Sequence, residues 1–113
     1  MLKNVILSPS CQLIRLGLIG NAIGDLGIRL LGKSFIMNKT LTYLDIRSNN
    51  ISNVGLRTLF EPLSTNKVLF VLDLRGNCIE KSISWELQNR LYNSGSILEI
   101  RTNYADQVQV VDR

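Results

Sequence analysis

The stretch YLDIRSNN, Tyr43–Asn50, returns downstream as VLDLRGNC, Val71–Cys78, with an acid, an arginine and an asparagine in the same places. The interval from Asn49 to Asn77 is the same as that from Asn21 to Asn49. Sliding the chain along itself by this step aligns one apolar frame three times: Leu13, Leu16 and Leu18; Leu41, Leu44 and Ile46; Leu69, Leu72 and Leu74. Behind each asparagine the agreement continues with Ile23, Ile51 and Ile79, then Leu31, Leu59 and Leu87, then Phe35, Leu63 and Leu91. A fixed period held across nearly the whole chain marks a repeat architecture, in which each unit buries its apolar side against the next.

Each half of the unit has its own physical reading. In LTYLDIRSN, Leu44 and Ile46 alternate with polar residues, so a short strand turns them inward and turns Tyr43, Asp45 and Arg47 outward. From Ser52 to Leu63 the apolar residues Leu56, Leu59, Phe60 and Leu63 fall at helical spacing, which predicts one amphipathic helix with Ser52 or Asn53 as its cap. The asparagines stand where the chain leaves the strand, and an amide side chain there can pair with turn backbone that the sheet no longer satisfies. Asn21, Asn49, Asn77 and Asn103 are therefore read as structural. Gly27 and Gly55, which follow Asn21 and Asn49 at the same offset, are expected to let helix and strand pack closely.

The frame L-x-x-L-x-L-x-x-N-x-I resembles the leucine-rich repeats of the ribonuclease-inhibitor-like class. That resemblance implies an α/β fold, a right-handed solenoid with parallel strands on the concave side and helices on the convex side. The chain reads as a single domain, 1–113: a remnant of a preceding repeat (1–12), full repeats over 13–40, 41–68 and 69–96, and a C-terminal cap (97–113). Before Leu13 no strand is legible, which predicts an open N-terminal edge covered by missing repeats or by a neighbouring subunit. At the other end GSILEIRTN sets Leu98 and Ile100 at the core positions before Asn103, a shorter step from Asn77 than the earlier units take. Val108 and Val110 alternate with Gln107 and Gln109, so the tail is read as a closing strand.

With this register the outward strand positions form columns: Arg15, Tyr43, Val71 and Ile97; Gly17, Asp45, Asp73 and Glu99; Ile19, Arg47, Arg75 and Arg101. Neighbouring strands lie about 4.8 Å apart, so like charges stacked along a column repel unless neutralised by the column beside them. The acids and arginines are thus read as ion pairs of a solvated face, each pair contributing about 0 to 1 kcal/mol. The same columns are read as a protein-binding surface of Tyr43, Asp45, Arg47, Val71, Asp73, Arg75, Glu99 and Arg101, because arginine and tyrosine are favoured at interface hot spots. Both readings hold together. Trp85 lies in register with the charged Arg29 and Arg57, which makes it either a second contact or a ring packed against its neighbours. Cys11 and Cys78 stand at different points of their units and are expected as free thiols, with Cys78 a small packed residue.

Composition bounds what the chain does. It has 113 residues with 13 basic and 9 acidic side chains, a net charge of +4 without any basic run, which gives no footing for a nucleic-acid reading. It contains no histidine and two cysteines, and neither a metal-ligand spacing nor a phosphate loop nor a matched acid and base appears. The expectation is a non-enzyme without cofactor or metal, cytoplasmic, with no membrane span in its apolar runs.

Two runs carry a narrower resemblance. NAIGDLGIRLLGKSF and NNISNVGLRTLFEPLSTNKVLFVLDLRGN resemble the closing repeats of the centrosomal leucine-rich-repeat proteins of centrioles and cilia. That implies a protein-interaction scaffold of a larger assembly at the cytoskeleton, centrosome, cilium or axoneme. Enzyme regulators of the same repeat class are the alternative: the ribonuclease inhibitor, which has many more repeats and cysteines, and the Ran GTPase-activating protein, which has a long acidic tail. A fragment of an innate immune sensor is a further one, without its nucleotide-binding domain here.

Overall fold

The computed structural model describes residues 13–95 and 99–104. Expectations placed on residues 1–12, on Ile97 and Leu98, on the tail from residue 105 and on the Phe35 side chain fall outside the described residues. Four short strands, β1 (Arg15–Gly17), β2 (Tyr43–Asp45), β3 (Val71–Asp73) and β4 (Glu99–Arg101), pair in parallel in the order of the chain. Between them run the helices α1 (Gly24–Phe35), α2 (Asn53–Arg57), α3 (Phe60–Thr65) and α4 (Lys81–Ser94). This is the α/β solenoid of parallel strands and helices expected from the repeat.

The alternation in each strand does what the sequence demands. Leu44 and Leu72 are fully buried, as are Leu41, Ile46 and Leu69, and they meet Leu31, Leu56, Leu59, Leu63, Leu87 and Leu91 from the helical half of each unit. Burying a leucine or isoleucine contributes about 1.5 to 3 kcal/mol relative to leaving it exposed, and this row of like residues is the stacking energy of the repeats. The first unit receives less of it: Leu13, Leu16 and Leu18 are only partly buried, and β1 is an edge of the described sheet.

After each of the first three strands the chain turns through a left-handed residue, Gly20 (φ 67°), Ser48 (φ 55°) and Gly76 (φ 76°), again one repeat apart. At Gly76 the need for glycine is twofold, since a Cβ there would also lie 2.6 Å from the Ser48 Oγ. The asparagine ladder expected from the sequence is present at Asn49 and Asn77, whereas the exposed Asn21 side chain, among the described residues, donates only to the Ile19 carbonyl (3.2 Å). Asn49 Oδ1 accepts from the backbone N–H of Asn21 (2.9 Å) and Ile23 (3.2 Å), and Asn77 Oδ1 accepts from Asn49 (2.9 Å) and Ile51 (3.0 Å). A second ladder lies at the other end of the strands, where buried Asn38 and Asn66 accept from the N–H groups of Thr40 and Leu41, and of Val68 and Leu69.

Four expectations are corrected. The helix read as continuous from Ser52 to Leu63 is two, α2 and α3, separated by Thr58 and Leu59. Pro62 explains the break: it has no N–H for the Thr58 carbonyl, and its ring crowds that carbonyl, so the chain tightens into i to i−3 bonds from Thr58 to Gly55 (3.0 Å) and Leu59 to Leu56 (2.9 Å). Neither Ser52 nor Asn53 caps its own helix by a side-chain bond; instead Asp25 Oδ1 accepts from the Ser52 N–H (2.8 Å), and Asn53 Oδ1 accepts from the Glu80 N–H (2.8 Å), each serving the following repeat. The close approach at Gly55 is correspondingly between helices, against Asp25, and that at Gly27 is to the Ile23 side chain at the start of the same helix, so neither is between helix and strand. Cys78 is free but exposed, because it occupies the outward turn position shared with Ala22 and Asn50.

The last strand carries a further correction. The sequence frame sets Leu98 and Ile100 against Leu72 and Leu74, but β4 pairs Leu72 with Ile100, Val71 with Glu99 and Asp73 with Arg101. The repeat step is thus kept in the backbone, with Ile100 inward behind Leu44 and Leu72, and Thr102 taking the next inward place. Asn103 is consequently not the ladder asparagine; its Oδ1 accepts from Gly76 N–H (2.7 Å), and its side chain lies at the surface.

Candidate protein-binding face

Strand pleating places Tyr43, Asp45, Val71, Asp73, Glu99 and Arg101 on one face, and the turn that follows each strand brings Arg47 and Arg75 beside them. All eight residues singled out in the sequence therefore share one surface. The shift of β4 changes their neighbours: Glu99 stands beside Val71 and Arg101 beside Asp73, so the acidic column ends in a guanidinium instead of a third acid. Trp85 is apart from them, 42% exposed on α4, in line with exposed Arg29 and Arg57.

At β2 and β3 the acid that ends the strand and the arginine two residues on, in the turn, form a fork. Arg47 donates to Asp45 through Nε (3.0 Å) and Nη2 (2.8 Å), with its backbone N–H adding a third bond (3.2 Å). Arg75 repeats the arrangement on Asp73 at 2.9, 2.7 and 3.2 Å. Arg47 also reaches across to Asp73, 3.6 Å away, so the more buried carboxylate sits between two guanidiniums. Arg101 pairs with Glu99 in the same sense.

A set of contacts between units overlies these forks. Arg101 Nη1 donates to the Tyr43 hydroxyl (2.8 Å) from two strands away, over Val71. Its guanidinium carbon lies 5.6 Å from the Tyr43 ring, and that of Arg15 lies 4.1 Å from the same ring. The tyrosine is held between two cations. The acids are sunk beneath this layer: the Asp45 and Asp73 side chains are 11% and 1% exposed, against 36%, 46% and 37% for Arg47, Arg75 and Arg101. The face thus presents guanidinium edges and a tyrosine, with the balancing negative charge underneath.

The forks set the protonation behaviour. The Arg47 side chain, donating to Asp45, holds that carboxyl below its ordinary value of 3.8 against the opposing effect of burial, with the Arg47 backbone N–H and the charges of Arg47 and Arg75 assisting. The arginines respond in the opposite sense, each raised first by its hydrogen bond to Asp45, Asp73 or Glu99. A carboxyl whose native value is depressed contributes stability that is fully present above its unfolded value and is lost as pH falls through the native one. The urea midpoint of the wild type is therefore expected to fall as pH drops from about 5 through the ordinary carboxyl range, and that of Asp45→Asn to start lower and fall less steeply. Parallel curves for the two proteins would show that Asp45 carries none of the acid sensitivity.

Two residues of this face escaped the sequence reading as site candidates. Arg15 and Gly17 line, with Leu16, Tyr43, Asp45 and Arg47, an open pit of about 260 Å³. The signal was present in the register, where glycine stands at the position that holds an acid in the next two repeats. Among the described residues no helix is long and apolar enough to cross a membrane, and no group of three metal-ligating side chains forms.

Comparison with known proteins agrees with this architecture. The family described as Leucine Rich repeat matches residues 38–60. The structure of leiomodin-1 actin-binding site 2 superposes with a TM-score of 0.73 at 18% identity, covering 92% of this chain and 64% of that one. The tropomodulin C-terminal domain of Caenorhabditis elegans superposes with a TM-score of 0.72 at 23% identity, covering 89% of this chain and 61% of that one. The chain thus spans under two thirds of either structure's length. No curated protein matches the sequence. A repeat-family match over residues 38–60, a four-stranded parallel sheet built in equal sequence steps and these two superpositions agree: the chain has the leucine-rich-repeat fold.

Proposed function

We propose that residues 1–113 form a non-enzymatic protein-interaction module that docks a partner on the face built by Tyr43, Asp45, Arg47, Val71, Asp73, Arg75, Glu99 and Arg101, as a scaffold in a cytoskeletal assembly. The observation that carries this reading is the pre-organised layer over buried Asp45 and Asp73: Tyr43 is clamped by Arg15 and Arg101, and each arginine of a fork is fixed before any partner arrives. Side chains already ordered lose less entropy on binding, and tyrosine and arginine are the residues that most often anchor interfaces. The likeness to a solved actin-binding site supports a cytoskeletal partner, with actin the first to try. The centrosome, cilium and axoneme are the settings in which such a scaffold is sought, and Trp85 on α4 is a second contact in the same proposal.

The test compares binding of wild type and a neutralised face to purified actin and to partners captured from a cytoskeletal extract. Truncating an arginine alone would strand a buried carboxylate, so each fork is replaced whole: Asp45→Asn with Arg47→Gln, and Asp73→Asn with Arg75→Gln. Retained folding by circular dichroism with a loss of partner binding of tenfold or more is the expected result. Undiminished binding would place the interface elsewhere, and Trp85→Ala would then be examined for the convex side.

A further inference from the structure

The pit at Gly17 is a defect in an otherwise regular pattern. At β2 and β3 the corresponding position carries Asp45 and Asp73, which sink beneath the arginines and neutralise them. At β1 it carries Gly17, where an added Cβ would meet nothing within 4 Å. The arginine that would accompany an acid there is replaced as well, by exposed Ile19. The first repeat has thus lost a carboxylate while the cations around its place remain.

Those cations are Arg15 and Arg47. Arg15 lies against the Tyr43 ring and pairs with no carboxylate among the described residues. Arg47 spends Nε and Nη2 on Asp45, which leaves Nη1 outside the fork. Asp45, the acid lining the pit, has both oxygens occupied by Arg47, so it offers an incoming cation little. In the next repeat the equivalent relation is visible: Arg75 acts on Asp45 through space, lowering its proton affinity, as Arg47 would act on a carboxylate placed over Gly17. Besides Asp45, the lining is Arg15, Leu16, Gly17, Tyr43 and Arg47, two cations and a tyrosine around the bare glycine.

We infer that the Gly17 pit is the specificity subsite of the docking face and takes a carboxylate side chain, Asp or Glu, from an acidic segment of the partner protein. The partner supplies the acid that the repeat pattern omits, completing the Asp45, Asp73 column from outside. Charge-assisted hydrogen bonds from two guanidiniums, one braced on an aromatic ring, give the subsite both direction and a preference for oxyanions. This rests on the concave-face reading above and adds the residue chemistry that the partner must present.

The experiment is a titration of the full chain, labelled for NMR, with the capped peptide acetyl-Gly-Glu-Glu-Glu-Gly-amide. The lysine analogue and sodium chloride of equal ionic strength are the controls. A saturable shift centred on the Gly17 amide and on the Arg15 and Arg47 Nε signals is expected, with at least tenfold weaker binding in Gly17→Asp and in Arg15→Gln. Gly17→Asp fits the space without strain and supplies an internal acid, so it is expected to melt with the wild type. Arg15→Gln keeps the pit open should Gly17→Asp fold poorly. Equal shifts at every exposed arginine, or unchanged affinity in both variants, would overturn the subsite. Saturable shifts centred on Arg75 and Arg101 would also overturn it while leaving the docking face standing. Loss of partner binding by the fork variants but not by Gly17→Asp would separate the two in the same way.

Discussion

Replacing Asn77 by alanine is expected to cost about 4 kcal/mol, against a total of roughly 5 to 15 kcal/mol for a domain of ordinary stability. The side chain is buried and serves four backbone groups in two repeats. Its Oδ1 accepts from Asn49 and Ile51 N–H, and its Nδ2 donates to the carbonyls of Ile46 and Leu74, both at 3.0 Å. Alanine would leave all four without the partner they now have, at about 1 to 3 kcal/mol for each that water cannot reach. Asn103→Ala is the control, because that side chain is exposed and its bonds to Gly76 and Asn77 can be taken over by solvent. Urea denaturation of the pair is expected to separate them by about 3 kcal/mol or more, with Asn77→Ala melting roughly 15 °C lower or further, at about 4 to 8 °C per kcal/mol. Similar losses for the two would mean that the recurring asparagine is not what ties the repeats together.

The prominence of that asparagine explains how much of the molecule the sequence discloses. Leu44, Ile46 and Asn49 recur because each repeat must bury the same face and satisfy the same turn, so periodicity alone yields the strands, the core and the ladder. The break between α2 and α3 was written at Pro62, but a run of correctly spaced apolar residues across it, Leu56, Leu59, Phe60 and Leu63, outweighs one proline in a periodicity reading; all four are buried as expected. The register of β4 was hidden for a different reason. Asn103 imitates the ladder asparagine one place after an inward Thr102, and only the pairing of Ile100 with Leu72 shows which residues face the core. The contact of Arg101 with Tyr43 follows from that register, so no spacing rule would have found it. Arg15 and Gly17 matter by breaking the pattern, and a search for recurrence passes over what fails to recur. Asp25, which serves the Ser52 N–H of the next unit, was missed because its counterparts are Asn53 and Lys81, residues of different type.

Asp25 is also the key to the second large effect expected, that of Gly55→Ala. Alanine is the better helix former by about 1 kcal/mol, and Gly55 has an ordinary helical backbone within α2, so local propensity predicts a gain. Packing predicts the reverse. A Cβ on Gly55 would stand 2.1 Å from Asp25 Oδ1, 2.7 Å from its Cγ and 3.0 Å from its Cα, the first two closer than any such contact can be. The carboxylate cannot simply swing aside, because Oδ1 accepts from the Ser52 N–H and Oδ2 from the Ser52 hydroxyl, bonds that secure the start of α2 against α1. Either those bonds break or the two helices move apart over the core, and the net cost is expected at about 2 to 3 kcal/mol. A double-mutant cycle separates steric conflict from a general intolerance of alanine. Asp25→Ala alone forfeits the Ser52 bonds, but it removes the oxygen that Gly55→Ala strikes, so the two losses should overlap and the double variant should be less destabilised than their sum by about 1 to 2 kcal/mol. Strict additivity would show that glycine is held at 55 by something other than the neighbouring repeat. The overlap would show that spacing between repeats, and with it the spacing of the arginine forks on the opposite face, is set by a carboxylate resting on a bare Cα.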